Sequence, residues 1–326
     1  MTIKRITKKE YYARYGLVYD SKTQTINTPI PAARLITCTE ILQPGNSKTG
    51  AAVLTVSTLA TNKLIATDFG MIRGTCCCTC KDCYACTGCY TFKDVKNALA
   101  IRTILARDYI DFMERAICAQ LDYIAYSKPG YKQEIRISAA GDLFSADYVE
   151  MFKRIIARYP QFVFWTYTKY DQFVNAFDQF DNANIVKSIL PSGALNYGTV
   201  SEIFTRYIEL VDAGYNPHIC SCGVRDYQHC AGCAGCAVND YVLFFKHSAR
   251  DYDIQKDQLF DFAAMVCEMI RNSAPQKDII AVMRAGLEIE NELKKDGARR
   301  PAVLKFKKPG KKNAKKNAKK EMKKAA

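Results

Sequence analysis

The chain has 326 residues, with 47 Lys and Arg against 33 Asp and Glu and a net charge of +14. A hydrophobic fraction of 48% and a charged fraction of 25% exclude disorder as the main state. No stretch approaches the roughly 18 consecutive apolar residues of a bilayer-spanning helix. The charge sits at one end: from Lys294 onward 15 bases face 2 acids, leaving the preceding body at +1. The opening MTIKRITKKEYYARYG has no apolar run of the kind a secretory signal carries, so a cytoplasmic, reducing environment is expected and structural disulfides are not.

Residues 1–50 are polar and mixed, and end in the turn-rich QPGNSKTG. That turn is no phosphate-binding loop, because no Gly precedes Lys48 at the required spacing. Residues 51–58 (AAVLTVST) predict a strand. Seven of the 15 cysteines follow between Cys76 and Cys89. Cys80, Cys83, Cys86 and Cys89 recur every third residue, close to the ferredoxin-type iron–sulfur pattern but with a shorter last gap and no proline. A second frame, Cys76-x3-Cys80-x2-Cys83, supplies three thiolates and would leave one iron of a four-iron cluster open. Cys77 or Cys78 can replace Cys76 in that frame.

Residues 92–126 carry apolar positions at helical spacing and predict one long helix or two. Residues 134–138 (EIRIS) predict a strand that runs into Gly141-Asp142. Ser145 is the expected N-cap of a helix over 146–158, ended by Pro160. FVFWTYT at 162–168 reads as a buried strand ending at Lys169. Then follow a helix near 170–180, a strand near 184–190 ending at Pro191-Ser192-Gly193, a helix near 201–212 and a strand near 217–221. The second cysteine group is Cys220, Cys222, Cys230, Cys233 and Cys236, with His218 and His229 beside it. Five thiols suffice for a closed four-ligand site, and both groups read as iron–sulfur or, alternatively, zinc. YVLFFK at 241–246 is a further strand ending at His247. Residues 256–273 and 277–295 predict two helices, and a Lys-rich tail with a KKNA repeat closes the chain.

Strands alternating with helices predict an α/β fold: a partial (β/α) barrel or an open parallel sheet, with Cys-rich metal loops and C-terminal helices. The expected division is an N-terminal segment 1–50, a core 51–250 holding both cysteine groups, C-terminal helices 251–297 and a disordered tail 298–326. In such folds functional groups gather where parallel strands end. Gly141-Asp142, Lys169, Ser192 and the late cysteines are therefore expected on one rim with the first cysteine loop. Asp142 is a candidate hydrogen-bond acceptor for a ligand or a turn residue, and Lys169 an anion anchor or a solvated end. Arg136 faces a carboxylate such as Asp142 or points to solvent. Trp165, the only Trp, is expected in the core, and Tyr84 and Tyr90, which border cysteines, either pack or shield a cluster from water.

The GNSKTG turn, Cys80-x2-Cys83-Tyr84, RISAAGDLFSADYVEMFKRI, FVFWTYTK and the late cysteines followed by VLFFKHS resemble the phage gene product 88 family. That family looks distantly similar to radical S-adenosylmethionine enzymes. The resemblance implies that Cys76, Cys80 and Cys83 hold a four-iron, four-sulfur (4Fe-4S) cluster whose open iron binds S-adenosylmethionine. Reductive cleavage of that cofactor and hydrogen abstraction from a substrate would follow. Gly141, Asp142 and Ser192 are then candidates for cofactor binding, Asp142 and Lys169 for catalysis, and Cys220–Cys236 for a second, auxiliary or structural, cluster. A phage-encoded chain would work in the host cytoplasm. The alternative is a non-enzymatic protein folded by zinc or iron–sulfur, whose Lys-rich tail binds nucleic acid non-specifically by releasing counterions. A scaffold that keeps its cluster and has lost cofactor chemistry is a third possibility.

Overall fold

The computed structural model describes residues 6–30, 37–44, 53–76, 85, 88–127, 129, 134–220, 224, 235–245 and 257–295. In chain order the elements are α1 (Lys8–Arg14), β1 (Tyr19–Asp20), β2 (Thr25–Asn27), β3 (Thr37–Thr39), β4 (Gln43–Pro44), β5 (Val53–Thr55), β6 (Leu64–Thr67) and β7 (Gly70–Arg73). Next come α2 (Lys93–Asp108), α3 (Ile110–Ser127), β8 (Glu134–Ile137), α4 (Ala146–Arg158), β9 (Val163–Thr168), β10 (Ala183–Lys187), β11 (Tyr197–Gly198) and α5 (Val200–Asp212). The last are β12 (His218–Cys220), α6 (Gly235–Val238), β13 (Val242–Phe245), α7 (Phe260–Arg271) and α8 (Gln276–Lys295).

The architecture is mixed α/β. The main sheet has the order β10-β9-β8-β5-β4, with β5, β8, β9 and β10 parallel and β4 antiparallel at one edge. A smaller, parallel sheet has the order β11-β13-β12. Parallel strands need crossovers, and α4 supplies the one between β8 and β9. Side chains alternate between sheet faces, and the two faces differ sharply. One face carries Leu54, Ile135, Ile137, Phe164 and Ile185, which share a core with Met113, Ile117, Leu121, Phe152 and Ile155 of α3 and α4. The other carries Glu134, Arg136, Trp165, Tyr167 and Asn184, aligned by the register Arg136–Trp165–Asn184. Ile219, Leu243 and Phe245 of the small sheet form a second core with α5, α7 and α8.

Most expected elements are present at the expected places. The 92–126 region is two helices, which part between Asp108 and Ile110. The helix expected near 170–180 is instead a 3-10 turn at Asp171–Phe173 followed by further turns. Bonds from Ala176 N to Phe173 O and from Phe180 N to Phe177 O have the short i to i−3 span of such turns. They still bury Phe173 and Phe177. The N-terminal segment holds α1 and a three-stranded sheet, β1-β2-β3. α1 starts at a capping box in which Thr7 N donates to Glu10 Oε2 at 2.6 Å and Glu10 N donates to Thr7 Oγ1 at 3.3 Å. Among the described residues no helix is long and apolar enough to cross a membrane. The 45–50 turn, the tail, His229 and His247 lie outside the described residues.

Ser145 is the N-cap of α4, its hydroxyl accepting from Tyr148 N at 3.2 Å. Ser145→Ala removes that acceptor and should cost about 1 kcal/mol of unfolding free energy, while Ser145→Gly should cost only a few tenths. Urea midpoints of the three proteins check this.

Candidate functional site

The ends of β5, β8 and β9 meet at one buried carboxylate. Asp142, 2% exposed, follows the end of β8. Its Oδ1 accepts from Thr168 Oγ1 at 2.7 Å and from Leu143 N at 2.8 Å, and its Oδ2 accepts from Lys169 N at 3.1 Å. Its own N–H donates to Thr75 Oγ1 at 3.1 Å. Thr75 donates onward to Leu59 O at 3.1 Å, and its hydroxyl lies 2.9 Å from that of Thr58. Tyr170 closes the ring, donating its hydroxyl to Thr75 O at 3.1 Å. Thr75 directly precedes Cys76, so this network fixes the point where the first cysteine loop leaves the sheet. Cys76 is itself buried, with its N–H donating to Thr61 O at 3.3 Å.

The backbone around this joint is tightly constrained. Gly141 has φ +85°, and a Cβ there would overlap the Thr58 hydroxyl. Ser138, one residue beyond β8, has φ +56°, and Thr61 has φ +67°. Left-handed geometry at such residues costs of order 1–3 kcal/mol, and persists only where the surroundings impose it. Both residues adjoin the joint: Thr61 through the bond from Cys76, Ser138 through the chain to Asp142.

The polar face of the main sheet forms a second centre. The Arg136 guanidinium lies 5.2 Å from the ring centroids of both Trp165 and Tyr167. Trp165 donates its indole N–H to Glu134 Oε2 at 3.2 Å. The Tyr167 hydroxyl lies 2.8 Å from Cys236 Sγ, and its ring meets Phe244 of the small sheet at 5.5 Å. Burial and the sulfurs of Cys236 and Cys220 raise the Tyr167 hydroxyl well above its usual pKa, with Arg136 pulling the other way. His218 and Cys220 alternate with Ile219 on β12, on the face away from the second core. Burial lowers the pKa of His218, whose imidazole lies so close to Gly235 that a Cβ there would overlap it.

The structure thus brings Gly141, Asp142, Lys169 and Cys76 to one rim, and Cys220 and Cys236 to the adjoining sheet face. Cys89 is exposed in a short 3-10 turn before α2. Ser192 is elsewhere, exposed in a groove between α5 and α8 with Arg206, Glu209 and Glu290. Arg136 sits against the aromatic rings, on the sheet face opposite Thr168, the partner of Asp142. Trp165 is buried as expected, and Tyr90 packs with Leu59 and Leu99. Cys77, Cys78, Cys80, Cys83, Tyr84, Cys86, Cys222, Cys230 and Cys233 lie outside the described residues. Among the described residues no group of three or more Cys, His, Asp or Glu is placed to hold a metal ion. Sequence reasoning missed Thr58, Thr75 and Tyr167. The signal for Thr75 was its place beside Cys76, while Tyr167 was masked by its apolar strand.

Burial raises the Asp142 carboxyl from 3.8 to about 6, against the lowering effects of Thr168 and Lys169. The folded chain then holds the proton more tightly than the unfolded one. The resulting stabilisation is full below pH 3.8 and is lost as pH rises through about 6. At about 1.36 kcal/mol per pH unit the loss approaches roughly 3 kcal/mol. Asp142→Asn, which does not ionise, should lack this fall. Unfolding free energies of both proteins from pH 4 to pH 7 test it, and parallel profiles would refute it.

The family model described as Gene product 88 matches residues 40–237, a span that contains both cysteine groups, the Asp142 joint and the aromatic sheet face. No curated protein and no solved structure matches the chain. With more than half of its length covered, the chain belongs to the gene product 88 family.

Proposed function

We propose that this protein is an iron–sulfur enzyme with chemistry of the radical S-adenosylmethionine type. The observation that carries the reading is the Asp142 joint, which anchors Thr75 and so delivers Cys76 to the C-terminal rim of the parallel strands, where α/β enzymes place their reactive groups. The donor set suits the group: Cys76, Cys80 and Cys83 are soft thiolates at short spacing, and would hold a 4Fe-4S cluster with one iron left for a cofactor. Such a cluster, when bound, supplies one-electron reduction of S-adenosylmethionine. The remaining work belongs to the chain. Asp142 fixes the ends of β8 and β9 against Thr75, next to Cys76. Lys169, half-buried and bonded to Asp142 through its backbone N–H, serves as the anchor for a carboxylate or phosphate at the rim. Gly141, Thr58 and Thr75 keep the rim tightly packed and water out. The late cysteines hold a second, auxiliary centre.

The basic tail favours a second reading, a metal-stabilised binder of nucleic acid, because 15 of the chain's 47 bases fall from Lys294 onward. Deleting the residues after Lys305 separates the two. An enzyme keeps cofactor turnover, whereas a binder loses most of its affinity for DNA or RNA.

Anaerobic purification with iron, sulfide and zinc analysis is the primary test. Iron and sulfide in near-equal amounts, broad absorption near ~400 nm and reductive cleavage of S-adenosylmethionine are expected. Zinc without sulfide would sink the proposal. Cys76/Cys80/Cys83→Ala should lose iron. Lys169→Ala should keep it and require about tenfold more cofactor or substrate for half-maximal rate, the weight of one charged hydrogen bond.

A further inference from the structure

Tyr167 and Cys236 are far apart in the chain and meet through a 2.8 Å contact between hydroxyl and sulfur. The meeting does not depend on that contact alone. Asn184 Nδ2 donates to the carbonyls of Cys236 and Asn239 at 2.9 and 3.0 Å, pinning α6 to β10. Lys187 N donates to Asp240 O at 2.8 Å just beyond it. Gly235 seats against His218, where no larger residue would pass. The tyrosine is equally fixed. Its ring meets Trp165 edge-on at 5.6 Å and Phe244 at 5.5 Å, with the Arg136 guanidinium 5.2 Å from its centroid. One cysteine of the late group therefore meets a buried phenol in direct contact.

We infer that Tyr167, held by Arg136, Trp165 and Phe244, is a positioning residue that hydrogen-bonds the Cys236 sulfur of a metal centre and tunes how that centre is held. This rests on the reading of the late cysteine group as a metal site. A metal-bound cysteine is a thiolate with no proton to give, so the phenol is the donor. Donation to sulfur favours the more negative, reduced state of an iron–sulfur centre, and in a zinc centre it fixes the ligand's orientation. Outer partners of this kind alter metal affinity about 10–100-fold.

The test uses the full chain, purified anaerobically with its native metal, and the variants Tyr167→Phe, Trp165→Phe and Cys236→Ser. Cys236→Ser should lose the metal of one centre. Tyr167→Phe should retain it. If the centre is iron–sulfur, its reduction potential should fall by the equivalent of a tenfold equilibrium change, about 59 mV for one electron. If it is zinc, a chromogenic chelator should withdraw it about tenfold faster. Outright loss of metal from Tyr167→Phe, with Trp165→Phe still loaded, would also support the inference. Trp165→Phe disturbs the packing but leaves the hydroxyl, and should move neither readout. Full metal content in Cys236→Ser would overturn the metal reading and the inference with it. Loss there, combined with a Tyr167→Phe protein matching the parent or matched by Trp165→Phe, would overturn the inference alone.

Discussion

Asp142, just beyond β8, joins pieces of chain that share no local sequence: its carboxylate accepts from the end of β9, and its backbone N–H donates to Thr75, next to Cys76. Removing a carboxylate from water is costly unless its oxygens find donors. Here the Thr168 hydroxyl and Lys169 N–H at the end of β9 supply them, with the neighbouring Leu143 N–H. The desolvation that raises its pKa and the bonds that oppose that rise are thus two sides of the same arrangement. Gly141 and Ser138 show what the arrangement demands of the backbone. The chain must turn out of β8 within a few residues to bring the carboxylate under Thr168, and it does so through two positive φ angles.

The two faces of the main sheet divide the labour. The face toward α3 and α4 is apolar and carries the burial energy, with Ile135, Ile137 and Phe164 fully enclosed. The opposite face is built of Glu134, Arg136, Trp165, Tyr167 and Asn184, residues that a purely structural sheet has no need to gather. Arg136 is tolerated there because two aromatic faces surround its guanidinium, an arrangement that keeps a cation partly desolvated at low cost. α6 then docks through amide-to-carbonyl bonds from Asn184 rather than through apolar packing. A four-residue helix has too little surface to hold itself in place by burial.

Much of this was legible from the sequence. Periodicity located α2 to α5, α7 and α8 and the main parallel strands, because each buries a continuous stripe or a short apolar run. Ser145 was recognisable as a cap because its side chain acts locally. The N-terminal capping box, Thr7-Lys8-Lys9-Glu10, was equally visible in principle, yet it lay in a segment whose apolar residues are too few to draw attention. The helix expected near 170–180 is a run of turns, because Asn175, Asp178 and Asp181 favour turns and prevailed. At the candidate site, Asp142 and Lys169 could be selected by their place after strands. Ser192 obeyed the same rule and failed it, since it follows a turn that leads to the α5–α8 groove rather than to the rim. Tyr167 carried no local signal, because its role exists only through a partner 69 residues away, and the place of Thr75 beside Cys76 did not reveal its partner 67 residues away.

The alternation of a β-strand explains how Cys76 and Cys236 are both tied to β9. Tyr167 and Thr168 are consecutive, so their side chains leave β9 on opposite faces. Thr168 bonds to Asp142, which is bonded through Thr75 to the start of the first cysteine loop. Tyr167 reaches Cys236, inside the late group. Two adjacent residues of β9 therefore connect to Thr75, next to Cys76, on one face and to Cys236 on the other. Shifting β9 by one residue against β8 would exchange the two faces and undo both connections at once. The register that pairs Arg136 with Trp165 is held on the helix side by Thr166, whose hydroxyl donates to Ile137 O at 2.7 Å. The packing of the apolar core against α3 and α4 is then what keeps the polar chemistry of the other face in place, which ties the fold's stability to the geometry of both centres.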